Sequence, residues 1–429
     1  MNWSSQIALV AGTYDPVLVV LTVVATAYLL SYLLLKWLSG RYGFVTGMPY
    51  VVLGALLVPV MGWLPVEVME GFDPLVGLAT GAVALAAGLG VDAAKFGEQR
   101  GTTLKLGLTV TAVTLAVVVG VPWLVLQYLW EPPMNSALWL PVLGLLGAMG
   151  LVADSRPVEA LAKYMNLEDE VVVEKAMKVA WVSTLGAVVF LGVVFSLYNP
   201  GPQWAGPVAN GALWLGVQIV TGVVLGVVGG ALVEMRPEDD RLLTVLLGVL
   251  VTASMAAYVT TMSIVFVNFV AGVVLINMSS ESLRVRGMLE GAMGPLYVLL
   301  LFFLGTLWVV ETLPAWLYVA VGIYVGLRVV GRYLGAAAYR PKLSGYRPEP
   351  GMYRAWIAPG ALTAALVLDF SFAFGDQPEM ATMISALVLV VVAEELVSFA
   401  LVRGWLIESA DVETMGSSKR RRDRWRAGR

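Results

Sequence analysis

The chain contains no cysteine and no histidine. Without cysteine there is no disulfide framework, no thiol nucleophile and no thiolate metal site. Without histidine the commonest metal ligand and the usual near-neutral proton shuttle are missing too. These absences argue against a haem protein or a metal-dependent membrane enzyme, and no cofactor and no catalytic centre are expected. Charge is scarce as well. Asp, Glu, Lys and Arg make up 13% of the 429 residues, against about 25% in soluble domains. Residues 1–14 hold no lysine or arginine, so the positive start of a cleaved signal is lacking. No long soluble domain is present, and nucleic acid is not expected as a partner.

What is abundant is apolar side chain. Hydrophobic residues form 59% of the sequence and the mean hydropathy is +0.82, which specifies an integral membrane protein with the lipid bilayer as its solvent. A membrane helix needs about 20 apolar residues. Thirteen stretches qualify: 15–38, 47–64, 72–93, 104–130, 136–165 (interrupted), 174–198, 206–234, 241–258, 261–278, 289–310, 313–337, 353–373 and 380–405. The weakest division is between 241–258 and 261–278, where little besides Val259 and Thr260 marks a turn.

The charges test this count. With the N-terminus outside, the outer connections 65–71, 131–135, 199–205, 259–260, 311–312 and 374–379 hold no lysine or arginine. The inner ones carry the basic residues, from Lys36 and Arg41 through Lys95, Arg284 and Arg286 to Arg340, Lys342 and Arg347. This is the positive-inside pattern. A missed or extra helix would invert half of it. The expected topology has an extracytoplasmic N-terminus over 1–14, a membrane domain over 15–405 and a short basic cytoplasmic tail over 406–429. A prokaryotic inner membrane or a plasma membrane would suit it. Trp123, Trp130, Trp139, Trp204, Trp308 and Trp316 fall near outer interfaces, as an aromatic belt does.

Span five is broken by polar residues. The stretch GLVADSRPVEA at 150–160 runs from an apolar segment into Asp154, Ser155, Arg156 and Pro157 before helix-forming residues resume. Proline cannot donate a backbone hydrogen bond, and its ring disfavours helix in the residue before it. Opposite charges beside a helix break at bilayer depth mark an ion or substrate site. The other reading ends the span at Val152 and leaves the two charges at the cytoplasmic surface. Arg328 lies well inside span eleven, with a snorkelling position at its cytoplasmic end as the alternative. Arg332, one turn further on, is expected to snorkel. Glu394 and Glu395 fall near the middle of span thirteen. They suit a cavity wall, a proton site, a contact with another subunit or a structural hydrogen bond equally. Asp369 is expected near the outer surface.

Four stretches in order resemble the monovalent cation/proton antiporter superfamily, the sodium/proton exchanger and Kef-type transporters. They are GMPYVVLGALLVP at 47–59, LAAGLGVD at 85–92, FVAGVVLIN at 269–277 and PLYVLLLFFLG at 295–305. The resemblance covers about residues 15–405. It implies an all-α polytopic membrane protein of about 13 transmembrane helices, built as two inverted six-helix repeats with crossing broken helices. Repeat one would span about 15–198, a linker helix 206–234, and repeat two 241–405. Spans five and twelve would be the broken helices, the second interrupted at Ala358, Pro359 and Gly360. The resemblance further implies a homodimer, alternating access, and a monovalent cation and the proton as substrates.

The sequence departs from the family at span six. Alignment puts Ser183 and Thr184 where related proteins carry the essential ion-binding carboxylate. A hydroxyl coordinates a cation weakly and does not exchange a proton near neutral pH. Arg328 matches the family's basic residue in span eleven. A guanidinium stays charged and needs a partner in low dielectric, and Asp154 is the first candidate, with Arg156 competing for it. Candidate ion or substrate residues are therefore Asp154, Ser155, Arg156, Ser183, Thr184 and Arg328, with Glu394, Glu395 and Asp369 second. Two arginines without the span-six acid also admit an anionic substrate. The reading of a different class is a non-transporting subunit or sensor that keeps the fold and docks a partner subunit.

Overall fold

The structure, a computed structural model, describes residues 47–60, 71–91, 100–128, 136–154, 158–159, 161–162, 171–199, 206–235, 238–279, 282–308, 313–339, 351–375 and 378–427. The expected span 15–38 lies outside them. Each remaining apolar stretch forms a helix, and the described residues contain no strand. In order these are α1 (Met48–Ala55, continued as a π-helical turn over Leu56–Val60), α2 (Asp73–Leu89), α3 (Arg100–Tyr128), α4 (Ser136–Leu151), α5 (Val171–Leu197) and α6 (Pro207–Glu234). There follow α7 (Asp239–Val259), α8 (Ile264–Met278), α9 (Ser282–Thr306), α10 (Ala315–Ala338), a 3-10 turn (Met352–Ile357), α11 (Gly360–Phe374) and α12 (Pro378–Ala427). Seven helical stretches are long and apolar enough to cross a bilayer unaided. The chain is an all-α integral membrane protein. α12 runs on through the basic tail without a break.

The weak division after span eight is a real turn. α7 stops at Val259, and Met262 N–H donates to Ala257 O at 2.9 Å. Thr261 takes a left-handed backbone, φ 55°, which costs a β-branched residue energy. The Asn199 side-chain amide donates to Thr261 O at 2.9 Å and secures it.

Lipid supplies no hydrophobic drive between helices, so close packing needs small residues. Two crossings show this reciprocally. Where α1 crosses α9, a methyl added to Gly54 would overlap the Phe302 carbonyl, and one on Gly305 would overlap that of Val51. Where α2 crosses α8, Gly88 stands in the same relation to Phe269, and Gly272 to Leu85. At a third seam Gly331 and Gly335 of α10 lie over Thr114 and Val110 of α3.

The seams are related in pairs. Exchanging spans two to six with nine to thirteen turns the α1–α9 crossing into the α2–α8 crossing and leaves α3–α10 unchanged. It also turns the α3–α5 and α4–α5 contacts into α10–α12 and α11–α12, all of which are made. In the chain, α6 and α7 lie between the two sets.

The two breaks meet. α4 ends at Leu151 and Val152–Asp154 leave the helix. The 3-10 turn and Ala358–Pro359 precede α11 in the same way. Asp154 N–H donates to Ala358 O at 2.9 Å, joining one broken span to the other. Gly360 adopts φ +62° there, and a methyl at this position would overlap the Asp154 carboxylate.

Candidate functional site: the crossing of the broken helices

Four helices converge on this crossing. α10 brings Tyr324, Arg328 and Arg332. A spacing of four residues places all three on one face, one above another. α12 brings Glu394 and Glu395, α5 brings Ser183 and Thr184, and α4 offers the carbonyls at its C-terminal end. Arg328 and Arg332 are 1% and 0% exposed, Glu394 and Glu395 0% and 5%. Burying an ionised group without a partner costs several kcal/mol or about that order, so where these charges go decides the chemistry.

Arg328 forms an ion pair with Glu394 through Nη1, and its Nη2 donates to Val152 O at 2.6 Å. The partner expected for it was Asp154; the carboxylate it meets is Glu394 of α12, while the broken segment offers it the Val152 carbonyl. Arg332 does not snorkel. Its Nη2 faces the carbonyls of Gly150, Leu151 and Val152 at 3.1, 2.6 and 3.1 Å, and its Nη1 donates to Ser183 Oγ at 3.0 Å. The last carbonyls of a helix lack intrahelical partners and carry the negative end of its dipole. That end holds Arg332 inside. Tyr324 donates to Leu146 O at 3.1 Å one turn earlier.

Ser183 and Thr184 occupy the expected place but are already engaged. Ser183 Oγ accepts from Arg332 and lies 3.1 Å from Thr111 Oγ1. Thr184 donates to Ala153 O at 3.0 Å and accepts from Ala153 N–H at 3.3 Å. The two hydroxyls brace the break. Asp154 sits at the crossing, partly exposed, with its carboxylate against Gly360. Ser155 and Arg156 lie outside the described residues. Glu395 is the exception among the buried acids: among the described residues its carboxylate has no hydrogen bond and no ion pair. Among the described residues, Asp154, Glu394 and Arg328 are the charges that act on it.

Asp369 is buried, 1% exposed, at the end of α8 that follows the turn expected on the outer side. It caps α8: Oδ1 accepts from Ile264 N–H at 2.9 Å, and Oδ2 from Ser263 Oγ at 2.6 Å and Val265 N–H at 3.3 Å. A carboxylate at a helix N-terminus satisfies orphan donors and favours the dipole. Its place is therefore at the α8 start and away from the crossing. On the other flank, an apolar cavity of about 400 Å³ lies between α3, α4, α10 and α12, with Tyr324 in its wall.

Two residues of the crossing escape a local reading of the sequence, Arg332 and Tyr324. The signal that finds them is their four-residue spacing from Arg328. No protein-family profile and no curated protein matches the chain by sequence. Its fold does have solved counterparts. The sodium proton antiporter MjNhaP1 from Methanocaldococcus jannaschii, in a structure at pH 8, superposes with a TM-score of 0.67 at 16% identity, over 91% of this chain and 97% of that one. A second structure of MjNhaP1, from an electron-microscopy map, gives 0.60 at 15% identity over 90% and 96%. The expected architecture is thus found almost end to end in a solved transporter, and the chain has the sodium/proton antiporter fold.

Proposed function

We propose that this chain is a secondary transporter that exchanges a monovalent cation for protons, with its working carboxylate moved from span six to Glu395 beside Asp154. The observation that carries this is Glu395 itself. A carboxylate buried in a membrane domain is costly, and this one is offset by no hydrogen bond or ion pair among the described residues. A proton or a cation is what neutralises such a group. Glu394 cannot serve, since Arg328 holds it, and Ser183 and Thr184 are committed to Arg332 and Ala153. Asp154 supplies a second acid within reach.

In this reading α4, α5, α10, α11 and α12 move together against a scaffold formed by the remaining helices, giving alternating access. The scaffold forms a homodimer, the N-terminus lies outside and the basic tail faces the cytoplasm of a prokaryotic cell. A second reading, a non-transporting subunit that docks a partner, is favoured by one feature: Arg332 occupies the span-six site.

Proteoliposomes holding a pH dye and pulsed with Na⁺, K⁺ or Li⁺ separate the two. Saturable proton movement is expected in the native chain. Glu395→Gln should abolish it, and Asp154→Asn should raise the half-saturating cation concentration about tenfold, the effect of roughly 1.4 kcal/mol. No flux with any of these cations between pH 6 and 9 would favour the subunit reading.

A further inference from the structure

Arg332 is held in a way that its own hydrogen-bonding needs do not explain. One nitrogen, Nη2, faces three backbone carbonyls, those of Gly150, Leu151 and Val152, at 2.6–3.1 Å. A guanidinium NH₂ has two hydrogens, so three acceptors exceed what it can donate to. Its Nε meanwhile is buried with no hydrogen-bond partner. Ser183 Oγ adds a fourth oxygen, 3.0 Å from Nη1. The oxygens converge on a positive centre and are poorly matched to the N–H groups. Backbone carbonyls at the end of a broken helix are the ligand set that holds monovalent cations within membranes. We infer that Arg332 is a tethered cation: its guanidinium fills, from within the chain, a carbonyl site at the end of α4 that would otherwise take a free monovalent cation.

The fold delivers the side chain there. Gly331 and Gly335 flank it on α10, and a methyl on either would crowd Thr114 or Val110 of α3. Without that close seam the guanidinium would sit further from the α4 terminus. The inference does not depend on the proposed exchange, because it concerns a position other than that of Glu395.

The test is made in a Glu395→Gln background, so that the proposed exchange site is absent. Thermal unfolding of the purified full-length protein is followed in NaCl, KCl and LiCl against choline chloride at equal ionic strength. Glu395→Gln alone should show no cation-specific shift. Adding Arg332→Ala or Arg332→Gln should produce a saturable rise in apparent Tm of about 2–4 °C with at least one of the three cations. Arg332→Lys, which keeps a tethered charge, should not. Folded Ala and Gln variants with flat responses would overturn the inference, and so would an equal rise in the Lys variant. Ser183→Asp, with Arg332 retained, covers the case in which neither Ala nor Gln folds. Its new carboxylate should pair with Arg332 and raise Tm equally in every salt. A rise confined to one alkali cation there would show free cation entering beside Arg332, and would equally sink the proposal.

Discussion

The crossing holds two guanidiniums within one turn of helix, and each is balanced differently. Arg328 has a carboxylate, Glu394; Arg332 has carbonyl oxygens and a hydroxyl. The two therefore answer differently to mutation. Removing one member of a buried ion pair costs about 3–5 kcal/mol, because the other is left charged in low dielectric. Glu394→Ala should lower the apparent Tm in detergent by many degrees. The double variant Arg328→Met with Glu394→Leu should recover most of that loss, since an apolar pair of similar volume avoids the desolvation penalty. Differential scanning fluorimetry of the two variants checks both halves, and an equally damaged double variant would contradict the account. Glu394 as the partner was not legible in the sequence. Its position in span thirteen marks it as intramembrane, but which of several central acids faces Arg328 depends on how three distant helices pack. Local pattern contains no such information.

Among the helical elements, the breaks do the positioning. In α4 the sequence announces the break through Asp154 and Pro157, and helix does end at Leu151. In span twelve Ala358, Pro359 and Gly360 announce the second, and they sit against the first. Both were readable because proline and glycine act on the backbone locally. The capping role of Asp369 was not legible, because it needs α8, a hundred residues earlier in the chain. Gly360 offers the sharper test of the crossing. With φ +62° and Asp154 in the space of a side chain, Gly360→Ala should destabilise by about 1–3 kcal/mol and abolish transport. Gly216→Ala on α6, where a methyl meets nothing within 4 Å, should leave both unchanged. Proteoliposome flux and thermal unfolding of the pair give the comparison.

For the whole molecule, the order and length of the apolar stretches from 47 onwards carried most of the helical architecture. The symmetric set of seams did not show in any one motif. It rests on glycines such as Gly54 and Gly272, whose importance appears only when the opposing carbonyls of Phe302 and Leu85 are known. The central cluster has one more consequence, an electrical one. With Asp154 and Glu395 neutralised by their proton or cation, Arg328 and Arg332 against Glu394 leave one net positive charge in the body that is proposed to move. A charge crossing the whole membrane potential exchanges about 2.3 kcal/mol per 100 mV. Passage through roughly a third of the field would then alter the rate of the reorienting step about fourfold. Exchange measured in vesicles clamped at different potentials with valinomycin should therefore accelerate in one direction and slow in the other. A rate indifferent to voltage would mean that the buried arginines stay fixed in the field while other helices move around them.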